Sequence, residues 1–188
     1  MKHKRFLGIF VNPYMVQSEG LNQVFDNLES VGASAIALSP QVGHPVVKGE
    51  GKRIPILHVD GYKRLLARPV WGKNGLYIKF FPVIDTDLRL YSETNYKPHR
   101  PVISDEVDTS IPRKMIAEAQ KRDMEAYIHI QPFIPPDIQP EDQPVYPDGT
   151  VPIPPQVAMF GSPGSPDVRT YGKALITECV KSFDDIDG

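Results

Sequence analysis

Ser165-Pro166-Asp167-Val168-Arg169 leads, through a mixed-polarity stretch, to Asp184-Asp185-Ile186-Asp187-Gly188. Ser165 is a good N-cap, Pro166 suits the first helical position, and Asp167 places negative charge at the positive end of a helix dipole. Apolar residues follow at Val168, Tyr171, Leu175, Ile176, Cys179, Val180 and Phe183, a helical spacing that predicts one covered face. Such a face needs a sheet, and Ile186 could open the next strand.

Working outward, βα units alternate with long loops. Residues 6–11 read as a first strand that breaks at Asn12-Pro13. Leu21, Val24, Phe25, Leu28 and Val31 mark a helix that Gly32 can close. Residues 34–38 form the second predicted strand. Ser110 then caps a helix carrying Ile111, Met115, Ile116 and Ala119, and residues 125–130 form the third strand. Between them, residues 40–109 are a long excursion with β-rich patches at 54–59 and 76–83. Residues 132–164 are a proline-rich loop with little periodicity. Loops of this length inside a domain are usually functional or disordered, and both follow strand C-termini, where α/β folds build their sites.

The strands share a phase. Leu7, Ile9 and Val11 alternate with Phe6, Gly8, Phe10 and Asn12; Ile36 and Leu38 with Ala35, Ala37 and Ser39; Ala126, Ile128 and Ile130 with Tyr127, His129 and Gln131. The aliphatic rows suit faces covered by helices, and the other rows suit a barrel interior. An open doubly wound sheet would bury both faces and would not favour His129 and Gln131 on one of them. Asn12, Ser39 and Gln131 are therefore expected together at the C-terminal rim.

Composition limits the function classes. The chain has 188 residues, 40% of them hydrophobic, and a net charge of −2, which makes no electrostatic case for nucleic acid. No stretch approaches the ~18 apolar residues of a membrane span. The basic start Lys2-His3-Lys4-Arg5 precedes an apolar run too short for a signal peptide, so a cytoplasmic location is the default expectation. Cys179, the single cysteine, excludes an internal disulfide, and its place on the apolar helix face predicts a buried thiol.

Gly32-Ala33-Ser34-Ala35-Ile36-Ala37-Leu38-Ser39-Pro40 resembles the second-strand segment of amylase-type glycosidases, and residues 165–188 resemble their approach to strand four. Tyr127-Ile128-His129-Ile130-Gln131-Pro132-Phe133-Ile134-Pro135-Pro136 and Glu141-Asp142-Gln143-Pro144 are more similar to the family-10-like glycosyl-hydrolase-like proteins of bacteria. The resemblance implies an α/β fold, a partial TIM (β/α)8 barrel. It would hold the first three βα units plus the helix leading to strand four, in one incomplete domain over residues 1–188. It further implies hydrolysis of O-glycosyl bonds by a carboxylate pair mostly beyond Gly188, with a continuation of the form apolar-Arg-apolar-Asp. The partners implied are a carbohydrate and the C-terminal half of the same barrel. Where amylases end strand three in Asn-His, this chain has Gln131-Pro132-Phe133.

On this basis the candidate sugar-binding residues are Asn12, Tyr14, Ser39, Trp71, Tyr77, His129, Gln131 and Phe133. Trp71, Tyr77 and Phe81 are either a stacking platform for pyranose rings or the small core of the excursion. His129 is either a sugar ligand or a satisfied interior histidine, and no second His or Cys at ligand spacing supports a metal. Asp137, Glu141, Asp142 and Asp148 are either part of an acid pair or a solvated acidic loop. Gly161-Ser162-Pro163-Gly164 lacks the Lys-Ser/Thr ending of a phosphate loop, and Ser39 lacks the Gly-x-Ser-x-Gly elbow. No cofactor is expected. Two classes remain: a carbohydrate-active hydrolase, and a noncatalytic glycan-binding or structural barrel.

Overall fold

Alternating short apolar strands and amphipathic helices assemble, in a computed structural model describing residues 6–55, 64–150 and 160–188, into two compact units. One unit comprises Met1–Val83, Pro101–His129 and Asp185–Gly188; the other comprises Ile84–Arg100 and Ile130–Asp184. The basic start at residues 2–5 and most of the expected patch at 54–59 lie outside the described residues.

The first unit holds a parallel sheet of β1 (Gly8–Phe10), β2 (Ala35–Leu38) and a third strand, Glu125–Ile128, in that spatial order. Gly8, Ile9 and Phe10 stand beside Ala35, Ile36 and Ala37, and these beside Glu125, Ala126 and Tyr127. Period-2 alternation puts Ile9, Ile36 and Ala126 on one face. Ile36, Leu38 and Ala126 are fully buried there. The opposite row is open at Phe10, which is 47% exposed. At its start the Phe6 ring lies 3.2 Å from where a β-carbon on Gly8 would stand, so the glycine lets that ring close over the sheet.

Asn12-Pro13 does not only end the first strand. It opens a helix, α1 (Pro13–Glu19), because Pro13 at the first helical position loses no amide the helix would use. Gly20, at φ +91°, separates it from α2 (Leu21–Ser30), whose Val24, Phe25 and Leu28 are buried. Gly32, at φ +76°, follows α2 in a conformation that favours glycine.

The excursion after β2 folds as an antiparallel sheet of β3 (Gln41–Val46), β4 (Lys52–Ile54) and β5 (Leu76–Pro82), ordered β3-β5-β4. β3 carries no strand signal in the sequence, since Gly43 and Pro45 are poor strand formers. Gly43 has a packing reason: a β-carbon there would stand 2.9 Å from both Ile78 Cγ2 and Tyr14 Cβ, so its absence admits α1 close to the sheet. Tyr14, Val70, Leu76 and Ile78 form the core beneath. The helix capped by Ser110, α3 (Ile111–Lys121), packs against β2 and the third parallel strand, which is β6 in chain order. Arg122 follows it, paired at 2.7 Å with each of Glu118, Asp26 and Glu29 and lying over the Phe25 ring.

The second unit is built around α4 (Pro166–Ser182), where the Ser165 hydroxyl accepts the Val168 amide at 3.2 Å as a true N-cap. Its core is Tyr91, Tyr96, Val168, Tyr171 and Ala174. The apolar face read from the sequence needs correction at two positions. Ile176 and Val180 are exposed, Val180 by 57%, whereas Gly172, Ala174 and Glu178 are buried. At ~100° per residue Val180 stands ~180° round the helix from Tyr171, and so faces away from the side that Tyr171, Glu178 and Cys179 share. The inward place goes to Glu178, 2% exposed, whose carboxylate accepts the Tyr91 hydroxyl at 2.6 Å and the Asp87 amide. Cys179 is buried, and desolvation pushes its thiol up to about 11. In the proline-rich loop the regular structure among the described residues is one short 3₁₀ turn, Pro140–Asp142. Among the described residues no helix is long and apolar enough to cross a membrane.

Candidate functional site

The register of the parallel sheet carries Leu38 beside Ile128, so the next residues, Ser39 and His129, stand level at the C-terminal edge. The His129 amide donates to the Leu38 carbonyl at 2.8 Å and holds that position. Asn12 follows β1 by two residues and keeps an extended backbone (φ −71°, ψ 131°), so alternation places it in the row of Phe10. Asn12 occupies the N-cap of α1, yet its side chain makes no cap bond. The Phe10 and His129 rings meet edge to face, 5.2 Å between centroids at 78°. Among the described residues, the Asn12 amide, the Ser39 hydroxyl and the His129 imidazole have no intramolecular hydrogen bond, while Asn12 and Ser39 are half-buried and His129 is exposed.

Below this rim on the same face, Tyr127 stands beside Ala37 and packs edge to face on Phe6 at 6.5 Å. Its hydroxyl donates to Glu125 Oε2, and that bond, with smaller help from burial, raises the hydroxyl above its ordinary range. Asp187 approaches the other edge of β6, with its carboxylate accepting the Ala126 amide at 2.9 Å.

Tyr14, Trp71 and Tyr77 lie elsewhere in the first unit. Tyr14 is buried on α1, between Trp71 at 6.4 Å and Phe80 at 6.1 Å, and desolvation raises its hydroxyl. Trp71, at φ +46° with its amide donating to the Ser18 hydroxyl at 2.7 Å, packs on that same core. Tyr77 is half-buried and points to the opposite face of β5 from Leu76 and Ile78, so it shares no platform with Trp71. Phe81, on the face of Tyr77, is buried under the Lys79 ammonium. Gln131 and Phe133 belong to the second unit and are exposed, their carbonyls accepting the Ile134 and Gly161 amides.

Two of the four acidic loop residues are engaged by hydrogen bonds. Asp142 accepts the Tyr96 hydroxyl, and Asp148 accepts both the amide and the hydroxyl of Thr150, which lower its pKa. Asp137 is left-handed at φ +52° and Glu141 is exposed. Among the described residues no group of three or more His, Cys, Asp or Glu side chains is placed to hold a metal ion. Phe10 and Tyr127 were not among the sequence candidates. The alternation that set their row apart from the aliphatic one was the signal that could have found them.

The protein is thus a mixed α/β chain with a parallel sheet open at Phe10 on one face and polar and aromatic side chains gathered at its C-terminal strand ends. No family model matches the chain, and neither a curated protein nor a solved structure matches it.

Proposed function

We propose that the chain supplies the first three βα units of a (β/α)8-type barrel of the carbohydrate-active hydrolase class, and that the open sheet face around Phe10 holds a sugar. The observation that carries this reading is the contact of Phe10 with His129 beside Asn12 and Ser39, at the strand ends where barrel enzymes bind substrate. A sugar ring presents an apolar face and a rim of hydroxyls. The phenyl ring suits the first; an amide, a hydroxyl and an imidazole, each able to donate and accept, suit the second. The parallel approach of Asp187 and Gly188 to β6 adds support, because it extends the sheet in the direction a barrel requires.

A noncatalytic glycan-binding barrel is the second reading. It is favoured by the state of two carboxylates at β6: Glu125 accepts the Tyr127 hydroxyl and Asp187 accepts the Ala126 amide, so both hold structural bonds. Hydrolysis needs a pair of carboxyls about 5–9.5 Å apart across the scissile bond.

Calorimetric titration with a panel of neutral oligosaccharides, alongside a reducing-sugar assay, tests both readings. Saturable binding that weakens about tenfold in Phe10→Ala supports the sugar site, one lost stacking contact amounting to about that factor. Turnover by the chain combined with the rest of the barrel, which would supply the carboxylate pair, then selects the hydrolase, and binding without turnover by that whole barrel selects the binder. No binding by any member of the panel contradicts both.

A further inference from the structure

Positive charge is unevenly distributed along the chain. Residues 41–83 contain eight Lys and Arg against two acids, Glu50 and Asp60, although the whole chain carries −2. Such asymmetry is a statement about partners rather than fold.

The β3-β5-β4 sheet gives part of this charge a defined face. Leu76, Ile78 and Phe80 turn toward the core with Tyr14, leaving Tyr77 and Lys79 on the outer side. In register, Tyr77 lies between Val46 of β3 and Arg53 of β4, and Lys79 lies beside His44. The Arg53 guanidinium is held by the carbonyls of Pro55 and Arg64, the latter at 2.8 Å, which fixes the cation beside the Tyr77 position. Two of its five N–H donors serve those carbonyls, and the rest of the fork is not committed to them. Lys79 is exposed, with its ammonium 5.5 Å from the Phe81 ring centroid. Lys48, Lys52 and Lys73 are exposed on the connecting turns and edge. Strand geometry sets Lys79 roughly 6.6 Å along the face from Tyr77, with Arg53 about 4.8 Å to the side.

We propose that this outer face binds an acidic oligosaccharide, one bearing carboxylate or sulfate groups, with Tyr77 against a sugar ring and Arg53 and Lys79 on its anionic groups. The inference rests on the carbohydrate reading above and goes beyond it by adding a second site, for an anionic sugar, on a different sheet. Charge complementarity selects an anion. The half-buried Tyr77, with Arg53 to one side and Lys79 further along the face, selects one whose charges are separated by ring-sized apolar surface. A continuous phosphate backbone fits less well, because the rest of the chain is strongly acidic and repels a long, dense polyanion.

The test is titration of the full chain with an oligogalacturonate, with a neutral xylo-oligosaccharide of the same length, and with single-stranded DNA of matched charge. Oligogalacturonate is expected to bind tightest, with affinity falling about tenfold between 50 and 200 mM salt as a few counterions are released. Lys79→Glu should weaken that binding about fivefold, while leaving the neutral sugar unaffected. Lys79→Gln, with circular dichroism as a folding control, guards against a misfolded variant. Phe10→Ala should weaken the neutral sugar and spare the acidic one. Acidic and neutral sugars binding alike, without salt dependence or any effect at Lys79, overturns this inference and leaves the carbohydrate reading standing. DNA binding tighter than oligogalacturonate overturns the inference in favour of a nucleic-acid surface. Failure of every sugar to bind overturns the inference and the carbohydrate reading together.

Discussion

The Ala126 amide donates to the Asp187 carboxylate at 2.9 Å, and the Asp187 amide donates back to the Ala126 carbonyl at 2.9 Å. Successive amides of a strand point to opposite edges. Glu125 and His129 donate to Ser34 and Leu38 on the β2 side, whereas Ala126 donates to Asp187 and Ile128 to Gly188 on the other. Both edges of β6 are thus paired, and the second partner runs parallel to it.

Asp187→Ala removes the acceptor of a buried amide and is expected to cost about 1 kcal/mol in urea denaturation. Asp187→Asn keeps a carbonyl acceptor and should cost less. Hydrogen exchange should show the Ala126 amide protected in the native chain and faster in the alanine variant alone.

Tyr91→Phe tests the buried carboxylate of the second unit. The Tyr91 hydroxyl, fully buried, donates to Glu178 at 2.6 Å, and its loss leaves that acid with the Asp87 amide alone among these two donors. Hydrogen bonds to charged groups contribute about 1.5–3 kcal/mol, so a loss in that range is expected in the unfolding free energy. No change would mean that the bond from Tyr91 to Glu178 contributes nothing net to the unfolding free energy.

The tyrosines of this unit also set an alkaline limit. Desolvation, reinforced by Glu178, holds Tyr91 far above its ordinary 10.0, while Tyr96 and Tyr171 are pushed up to about 12, in each case chiefly by burial. A folded pKa above the unfolded one means that the unfolded state loses its protons first. Stability is therefore complete below about pH 10 and falls as pH rises from there toward 12. Absorbance titration of tyrosinate should show a late fraction that ionises together with the loss of near-ultraviolet circular dichroism.

The strand order was legible because its signal is local. Ile9, Ile36 and Ala126 repeat with period two, and Ser165, Pro166 and Asp167 are start signals that need no tertiary partner. α1 was hidden because Asn12-Pro13 reads equally as a strand end and a helix start. β3 was hidden because Gly43 and Pro45 lower its propensity, and the reason for Gly43 is the approach of Tyr14, distant in sequence. Glu178 illustrates the same limit on α4: a carboxylate reads as solvated until Tyr91, 87 residues away, supplies its partner. In the site, alternation grouped Asn12, Ser39 and Gln131; that His129 stands level with Ser39 is set by the register of β2 with β6, and Gln131 belongs to the second unit. Trp71 was not separable from a binding platform by sequence, because its burial depends on Tyr14 and Ile78.

The most direct test of the sugar-binding claim is a site-resolved nuclear magnetic resonance titration of the chain with neutral oligosaccharides, following the rings of Phe10, Tyr127 and His129. Saturable shifts are expected at Phe10 and His129, fading toward Trp71, with the His129 response in Phe10→Ala requiring about tenfold more sugar. Unchanged Phe10 and His129 resonances at saturating sugar, or shifts confined to other parts of the chain, would contradict the assignment of that face as the carbohydrate site.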